Sequence, residues 1–264
     1  MPQITSRNLT VQGRLARVWR GGSGPALLLL HGGIGDAQLH WETVWERLAH
    51  SFTVAAPDLP GFGETRPLPS ASFGAFAEWV DELREVLGFP RLALVGNSFG
   101  GGVARLYAAA QPKRVTRLVL VNGGALPTIP GFAKGLMTLP HISDWLFELM
   151  RGQAFSRDGL KRLIFDERLL TPAFVARSQA ASRGFVRAMR QAAFAGLPKD
   201  QMPRCATLVL WGERDRQAPL ARGRALAATL PGATFQTIPN AGHLPQLEQP
   251  EHFTALVRAF CGSR

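Results

Sequence analysis

Apolar residues along this chain fall into two alternating patterns. Short runs rich in apolar residues occur at 26–30, 52–56, 92–95, 118–121, 208–211 and 235–238. Runs of this length, bounded by Gly, Pro or polar residues, are the signature of buried strands. Between several of them the period lengthens. In 40–49, Trp41, Val44, Trp45 and Leu48 stand at i, i+3, i+4 and i+7, which predicts an amphipathic helix. Helices are also predicted at 73–87, at 100–110, where small residues precede Pro112, and at 250–260. Alternation of strand and helix predicts an α/β fold with a mainly parallel sheet flanked by helices. Residues 8–11 and 15–19, around Gly13, predict an opening hairpin.

The alternation fails between 127 and 203. Helical patterns recur there at 143–150, 159–165 and 173–181, without a convincing strand. A structureless loop of about 75 residues inside a compact domain is improbable on physical grounds, so the segment reads as a helical insertion. The predicted division is therefore a core made of 1–126 and 204–264, with 127–203 as a helical cap.

Composition narrows the class. A chain of 264 residues buries a sizeable core. The run at 26–30 is far too short to span a bilayer, and 1–10 is polar, unlike a signal peptide. The two cysteines, Cys205 and Cys261, read as free thiols in a reducing cytoplasm. The net charge of +11 comes almost wholly from arginine, with no run of five like charges and no nucleic-acid motif. It reads as an arginine-rich solvated surface, the alternative being an anionic ligand. The expectation is a cytoplasmic protein without membrane or nucleic-acid partners. Its oligomeric state is not legible.

Gly96-Asn97-Ser98-Phe99-Gly100 fits G-x-S-x-G and lies between a predicted strand and a predicted helix. That setting is what turns a weak motif into a specific one. A sharp, strained turn there lifts the Ser98 hydroxyl clear of the sheet, and side chains two residues before and after it would collide. A serine nucleophile needs a base, and the base needs an orienting carboxylate. His243 follows the last predicted strand, and Asp215 follows the strand at 208–211. Asp215 is preferred because it sits where a loop turns back over the sheet edge, with Glu213 as the alternative. The chain order is then Ser98, Asp215, His243. His31-Gly32-Gly33 follows the strand at 26–30. Its Gly33 N–H and the N–H of Phe99 are the expected oxyanion donors, with Ile34 replacing Gly33 if the loop is shifted by one. His31 reads as a structural hydrogen-bonding residue.

These segments, together with Pro57-Asp58-Leu59-Pro60-Gly61-Phe62-Gly63 and Trp211-Gly212-Glu213-Arg214-Asp215, resemble the α/β-hydrolase family over nearly the whole chain. The resemblance implies a core sheet of eight strands with a helical lid inserted after the sixth. It implies hydrolysis of esters, lactones, amides, epoxides, haloalkanes or carbon–carbon bonds of diketones, with no cofactor and no metal. Ser98 argues against epoxides and haloalkanes, whose enzymes use an Asp nucleophile.

Gly-Asn-Ser-Phe-Gly-Gly further resembles the hydrolases of aromatic ring-fission products and their esterase and lactonase relatives. Two of their marks are absent: Ile34-Gly35-Asp36 stands in place of Gly-Pro-Gly, and Leu244 in place of the Trp after the catalytic His. A lid arginine binds the substrate carboxylate in those enzymes. Ser178 occupies that place here, with Arg177 next to it and Arg183, Arg187 and Arg190 further along. Arg177 and Leu244 are therefore the candidate substrate-binding residues. The leading expectation is a small-molecule ester or lactone hydrolase. A carbon–carbon hydrolase of vinylogous 1,5-diketones comes second, and a ligand receptor on the same fold third.

Overall fold

The structure, a computed structural model, describes residues 2–70, 72–124, 151–195 and 202–262, the side chains of 183 and 185–195 excepted. The strands are β1 (Thr5–Val11), β2 (Arg14–Gly21), β3 (Ala26–Leu30), β4 (Thr53–Pro57), β5 (Leu92–Asn97), β6 (Val115–Val121), β7 (Ala206–Gly212) and β8 (Thr234–Ile238). They form one eight-stranded sheet in the order β1-β2-β4-β3-β5-β6-β7-β8. β2 runs antiparallel to both β1 and β4, and every pairing from β4 to β8 is parallel. The opening hairpin turns at Gln12 and Gly13, with φ 50° and 68°. Two positive φ values give a turn whose twist matches that of the flanking strands.

Alternate residues of the central strands serve two cores, one on each face of the sheet. Leu28, Leu30, Leu94, Leu118 and Leu120 point to one face, where they meet α3 (Phe73–Val86) and α4 (Ser98–Ala110). Leu27, Leu29, Val95, Val119 and Val121 point to the other, against α1 (Ala37–Trp41), α2 (Trp45–Ala49) and the closing helix α9 (Pro250–Gly262). Each fully buried Leu of this kind contributes about 2 kcal/mol.

The helix expected at 40–49 is two helices. Asp36 caps α1 by accepting from Leu39 N at 2.8 Å, and Thr43 Oγ1 donates to Gln246 O at 2.9 Å where the chain bends. The apolar period survives the break, since Trp41, Val44, Trp45 and Leu48 are all buried. Between β6 and β7 the described elements are helical: α5 (Arg157–Leu160), a 3-10 turn (Glu167–Leu169) and α6 (Pro172–Ala195). α5 is one turn, shorter than the predicted 159–165, while α6 far outruns 173–181. The predicted helix at 143–150 lies outside the described residues. Leu160, Ile164 and Leu170 pack on Ile34 and Leu244, so this segment is seated on the loops that follow β3 and β8.

α7 (Leu220–Thr229), between β7 and β8, gave no clear pattern, because only its Gly223 and Leu226 are buried. A four-residue α8 (Pro245–Glu248) precedes α9. Cys205 and Cys261 are both free thiols. Among the described residues no helix is long and apolar enough to cross a membrane.

Candidate active site

The chain runs from β3 to β4 on one side and to β5 on the other, so the strand order reverses beside β3. Open α/β sheets place their chemistry at such a switch point, beyond the carboxyl ends of the strands. Gly33, Ser98, Phe99, Asp215, His243 and Leu244 lie there, on the segments after β3, β5, β7 and β8, whereas Arg177 stands on α6.

Ser98 directly follows β5 and starts α4, with φ 50°. That value is rare for a non-glycine residue and costs of order 1–3 kcal/mol unless the surroundings impose it. The surroundings here are close-packed backbone. A Cβ on Gly96 would sit 2.4 Å from Gly100 O, and one on Gly100 would sit 2.4 Å from both Leu30 O and His31 O. Glycine at both positions is what lets β5, α4 and the loop after β3 meet at Ser98.

His243 Nδ1 lies 2.7 Å from Asp215 Oδ2, and both side chains are almost fully buried. Asp215 Oδ1 accepts from Gln217 N and Ala218 N, each at 2.8 Å. Asn122, at the end of β6, donates through Nδ2 to Asp215 Oδ2 at 2.6 Å, and its Oδ1 accepts from Gly212 N at 3.0 Å. The carboxylate is thus held from four directions. Glu213 is exposed and accepts from Thr237 Oγ1 at 2.8 Å, apart from His243. Asn97 Nδ2 donates to Val121 O and to His243 O, each at 3.1 Å, tying the histidine loop to the strand ends.

Gly33, Ile34 and Phe99 line the same cavity as Ser98 and His243. Phe99 anchors its ring against Phe62, Phe73 and Phe76, which fixes the first turn of α4 and its unpaired N–H groups. The loop after β3 is braced by two buried histidines. His31 Nδ1 donates to Gly32 O at 2.7 Å and Nε2 accepts from Leu59 N at 2.8 Å. His40 Nε2 donates to Ile34 O at 2.5 Å, and its Nδ1 accepts from Gly32 N at 3.4 Å and Gln246 Nε2 at 3.3 Å. Burial lowers the His31 pKa to about 4 and pushes that of His40 well below 6.5, so both rings are neutral braces.

Sequence reasoning missed Asn122 and His40. Asn122 follows β6 as Ser98 follows β5, and that shared position is the signal that would have found it. His40 sits within an apolar helical pattern, where nothing marks it.

The candidate substrate contacts divide. Leu244 is fully buried and lines the cavity. Arg177 is absent from the cavity lining. Its Nη2 and Nε lie 2.8 and 3.3 Å from the two carboxylate oxygens of Asp36. The side chains of Arg183, Arg187 and Arg190 lie outside the described residues. Among the described residues, the cavity, about 1080 Å³, is lined by three other arginines, Arg105, Arg162 and Arg222.

Comparison with known proteins shows the family and the fold. The model of the alpha/beta hydrolase family matches residues 27–255. The chain is 31% identical to 2-hydroxymuconate semialdehyde hydrolase of Pseudomonas sp. (strain CF600), covering 98% of this chain and 94% of that protein. Among solved structures, a thermophilic esterase from Thermogutta terrifontis, with malate bound, superposes with a TM-score of 0.79 at 29% identity, over 97% of each chain. A meta-cleavage product hydrolase from Pseudomonas fluorescens IP01 superposes with a TM-score of 0.78 at 25% identity, over 96% of each chain. With a family match that covers most of its length, this chain belongs to the alpha/beta hydrolase family.

Proposed function

We propose that the chain is a serine hydrolase of carboxylic esters or lactones with small to medium acyl groups, working without a cofactor. The observation that carries this reading is the backbone of Ser98, held at φ 50° in a strand-to-helix turn, in one cavity with a His243 that is paired at 2.7 Å to Asp215. Ser98 Oγ attacks the carbonyl carbon and its proton passes to His243 Nε2, while Asp215 holds the Nδ1–H. The carbonyl oxygen becomes an oxyanion and accepts from Gly33 N–H and Phe99 N–H, each worth about 3 kcal/mol in the transition state. The tetrahedral species collapses, and the leaving alkoxide takes the proton from His243. Water then attacks the acyl-enzyme, giving a proton to His243, and the acid leaves as Ser98 Oγ regains it. Residues 127–203 act as a lid over the core of 1–126 and 204–264, seated by Leu160 and Ile164 on Ile34 and Leu244.

Turnover of p-nitrophenyl butyrate tests the reading. The ester is expected to be hydrolysed with an initial burst or steady rate that Ser98→Ala abolishes and that a fluorophosphonate blocks by labelling Ser98. Activity that survives in Ser98→Ala would place the nucleophile elsewhere.

A second reading, hydrolysis of a carbon–carbon bond in a vinylogous 1,5-diketone, draws on the 31% identity to 2-hydroxymuconate semialdehyde hydrolase. Leu244 and Ile34-Gly35-Asp36 depart from that group and favour the ester. Loss of the yellow colour of a ring-fission product at a rate above that of the ester would reverse the order.

A further inference from the structure

The wall of the cavity beyond Ser98 is built from one face of α4. Ser98, Gly102 and Arg105 stand at i, i+4 and i+7, and all three line the cavity. Seven residues at 1.5 Å each put the Arg105 backbone about 10 Å along the helix from Ser98, and helical side chains lean back toward the N-terminus. The guanidinium is therefore carried toward the site. Its Nη1 donates to Gly124 O at 2.9 Å, in the segment that follows β6, and its Nη2 meets Met202 Sδ at 3.5 Å.

These are poor partners for a half-buried cation. A guanidinium has five N–H donors in a planar fork suited to a carboxylate, and a thioether is a weak acceptor. Among the described residues no carboxylate pairs with Arg105. Burial without an anion lowers its pKa from the ordinary value. Arg222 and Arg162 line the same cavity, and the acid described there, Asp158, lies 3.5 Å from Lys161. The described lining is thus cationic, and it includes a half-buried guanidinium that no described carboxylate neutralises. A ligand that brings its own carboxylate offsets part of what burial of that charge costs, most of all through a bidentate contact.

We propose that Arg105, assisted by Arg222, forms a carboxylate subsite, so that the preferred substrates are esters whose acyl chain ends in a second acid group. This rests on the serine-hydrolase reading for the ester, but not for the binding of the acid. The subsite belongs to the core helix that starts at Ser98, so its distance from the reacting carbonyl is fixed by α4. Preference is expected to depend sharply on the length of the acyl chain.

Two measurements test it. The first is kcat/KM for p-nitrophenyl hydrogen esters of glutaric to suberic acid, each against its neutral methyl diester. One chain length is expected to favour the acid by about 10- to 100-fold, the worth of a charge-assisted contact. Arg105→Gln is expected to remove that ratio chiefly through KM, Arg105→Lys to restore part of it, and Arg222→Gln to reduce it. The second is calorimetric binding of the free diacids to the Ser98→Ala protein, with and without Arg105→Gln. If no ester is turned over but a diacid binds through Arg105, the hydrolase reading fails and the subsite stands. If esters are turned over with no acid preference, or the preference and the binding survive Arg105→Gln, the subsite is overturned. Should Arg105→Gln not fold, Arg105→Lys and Arg222→Gln decide in the same two assays.

Discussion

Asn122 Nδ2 lies 2.6 Å from Asp215 Oδ2, the same carboxylate oxygen that meets His243 Nδ1 at 2.7 Å. One amide therefore sets where the acid points, while its own Oδ1 is fastened to Gly212 N at the end of β7. Asn122 holds φ 45°, so glycine fits its backbone without strain. Asn122→Gly is expected to lower kcat by about 10- to 100-fold, the effect of losing a hydrogen bond to a charged group. KM is expected to change little. Steady-state kinetics check this, and unchanged kcat would show that the backbone donors of Gln217 and Ala218 suffice.

Asp215 and Glu213 are two residues apart and differ in surroundings. Asp215 is buried against His243, whereas Glu213 is exposed beside Thr237. Asp215→Asn is expected to slow kcat by about four orders of magnitude, because the imidazole loses the acceptor that fixes its tautomer. Glu213→Gln is expected to leave kcat within about twofold, as surface changes do. Equal losses in the two variants would contradict the assignment.

Residues whose role follows from their place on a strand were legible in the sequence. Ser98 and Asp215 each follow a buried run, and runs such as Ala26–Leu30 are recognisable without any knowledge of their neighbours. His243 follows β8, an edge strand with only Ile238 buried, and was found by its place after the last strand. Glycines at 96 and 100 pointed to a close approach before its partners, Leu30 O and His31 O, were known. What stayed hidden depends on pairing across the fold. Nothing near Arg177 in sequence announces Asp36, more than a hundred residues earlier. Nothing near His40 announces Gln246. The break between α1 and α2 was hidden for the same reason, since the bend is fixed by a carbonyl of α8 and leaves the apolar period intact.

The buried histidines contribute stability that is lost in acid. Both nitrogens of His31 are already used, Nδ1 as donor and Nε2 as acceptor, so a second proton would face the Leu59 N–H. Its folded pKa of about 4 lies below the ordinary 6.5. The stabilisation is then complete above about pH 6.5 and is lost as pH falls toward 4, by about 3 kcal/mol in all. Asp58 has the opposite sign. Burial raises it to about 6, so its contribution is present at low pH and lost as pH rises from 3.8 through that value. Asp58 is common to wild type and variant, and its effect cancels in their difference. The urea midpoint of His31→Gln is expected to fall less steeply than that of wild type between pH 6.5 and 4.5. Parallel curves would refute a neutral His31.

The pairing of Arg177 with Asp36 changes what that arginine is expected to do. Asp36 belongs to the loop after β3, two residues beyond Ile34, and it also caps α1 through Leu39 N. Arg177 stands on α6, so the pair fastens the helical segment to the loop that carries Gly33. Both side chains keep partial exposure, 32% and 22%, so the pair is worth no more than about 1 kcal/mol to stability. Its effect on catalysis comes through position. If Arg177 were a carboxylate anchor, Arg177→Gln would weaken only acidic esters, and salt would shrink the loss. As a strut it is expected to raise KM for acidic and neutral esters alike, by about 2- to 5-fold for a pair of this strength. Asp36→Asn keeps the acceptor that caps α1 but removes the charge, and it is expected to reproduce the same rise. Arg177 also lies 3.9 Å from Glu42 Oε2, so the double variant is expected to be no worse than Arg177→Gln alone, which already removes every contact that Asp36→Asn removes. Additive losses, or a loss confined to acidic esters, would return Arg177 to the cavity.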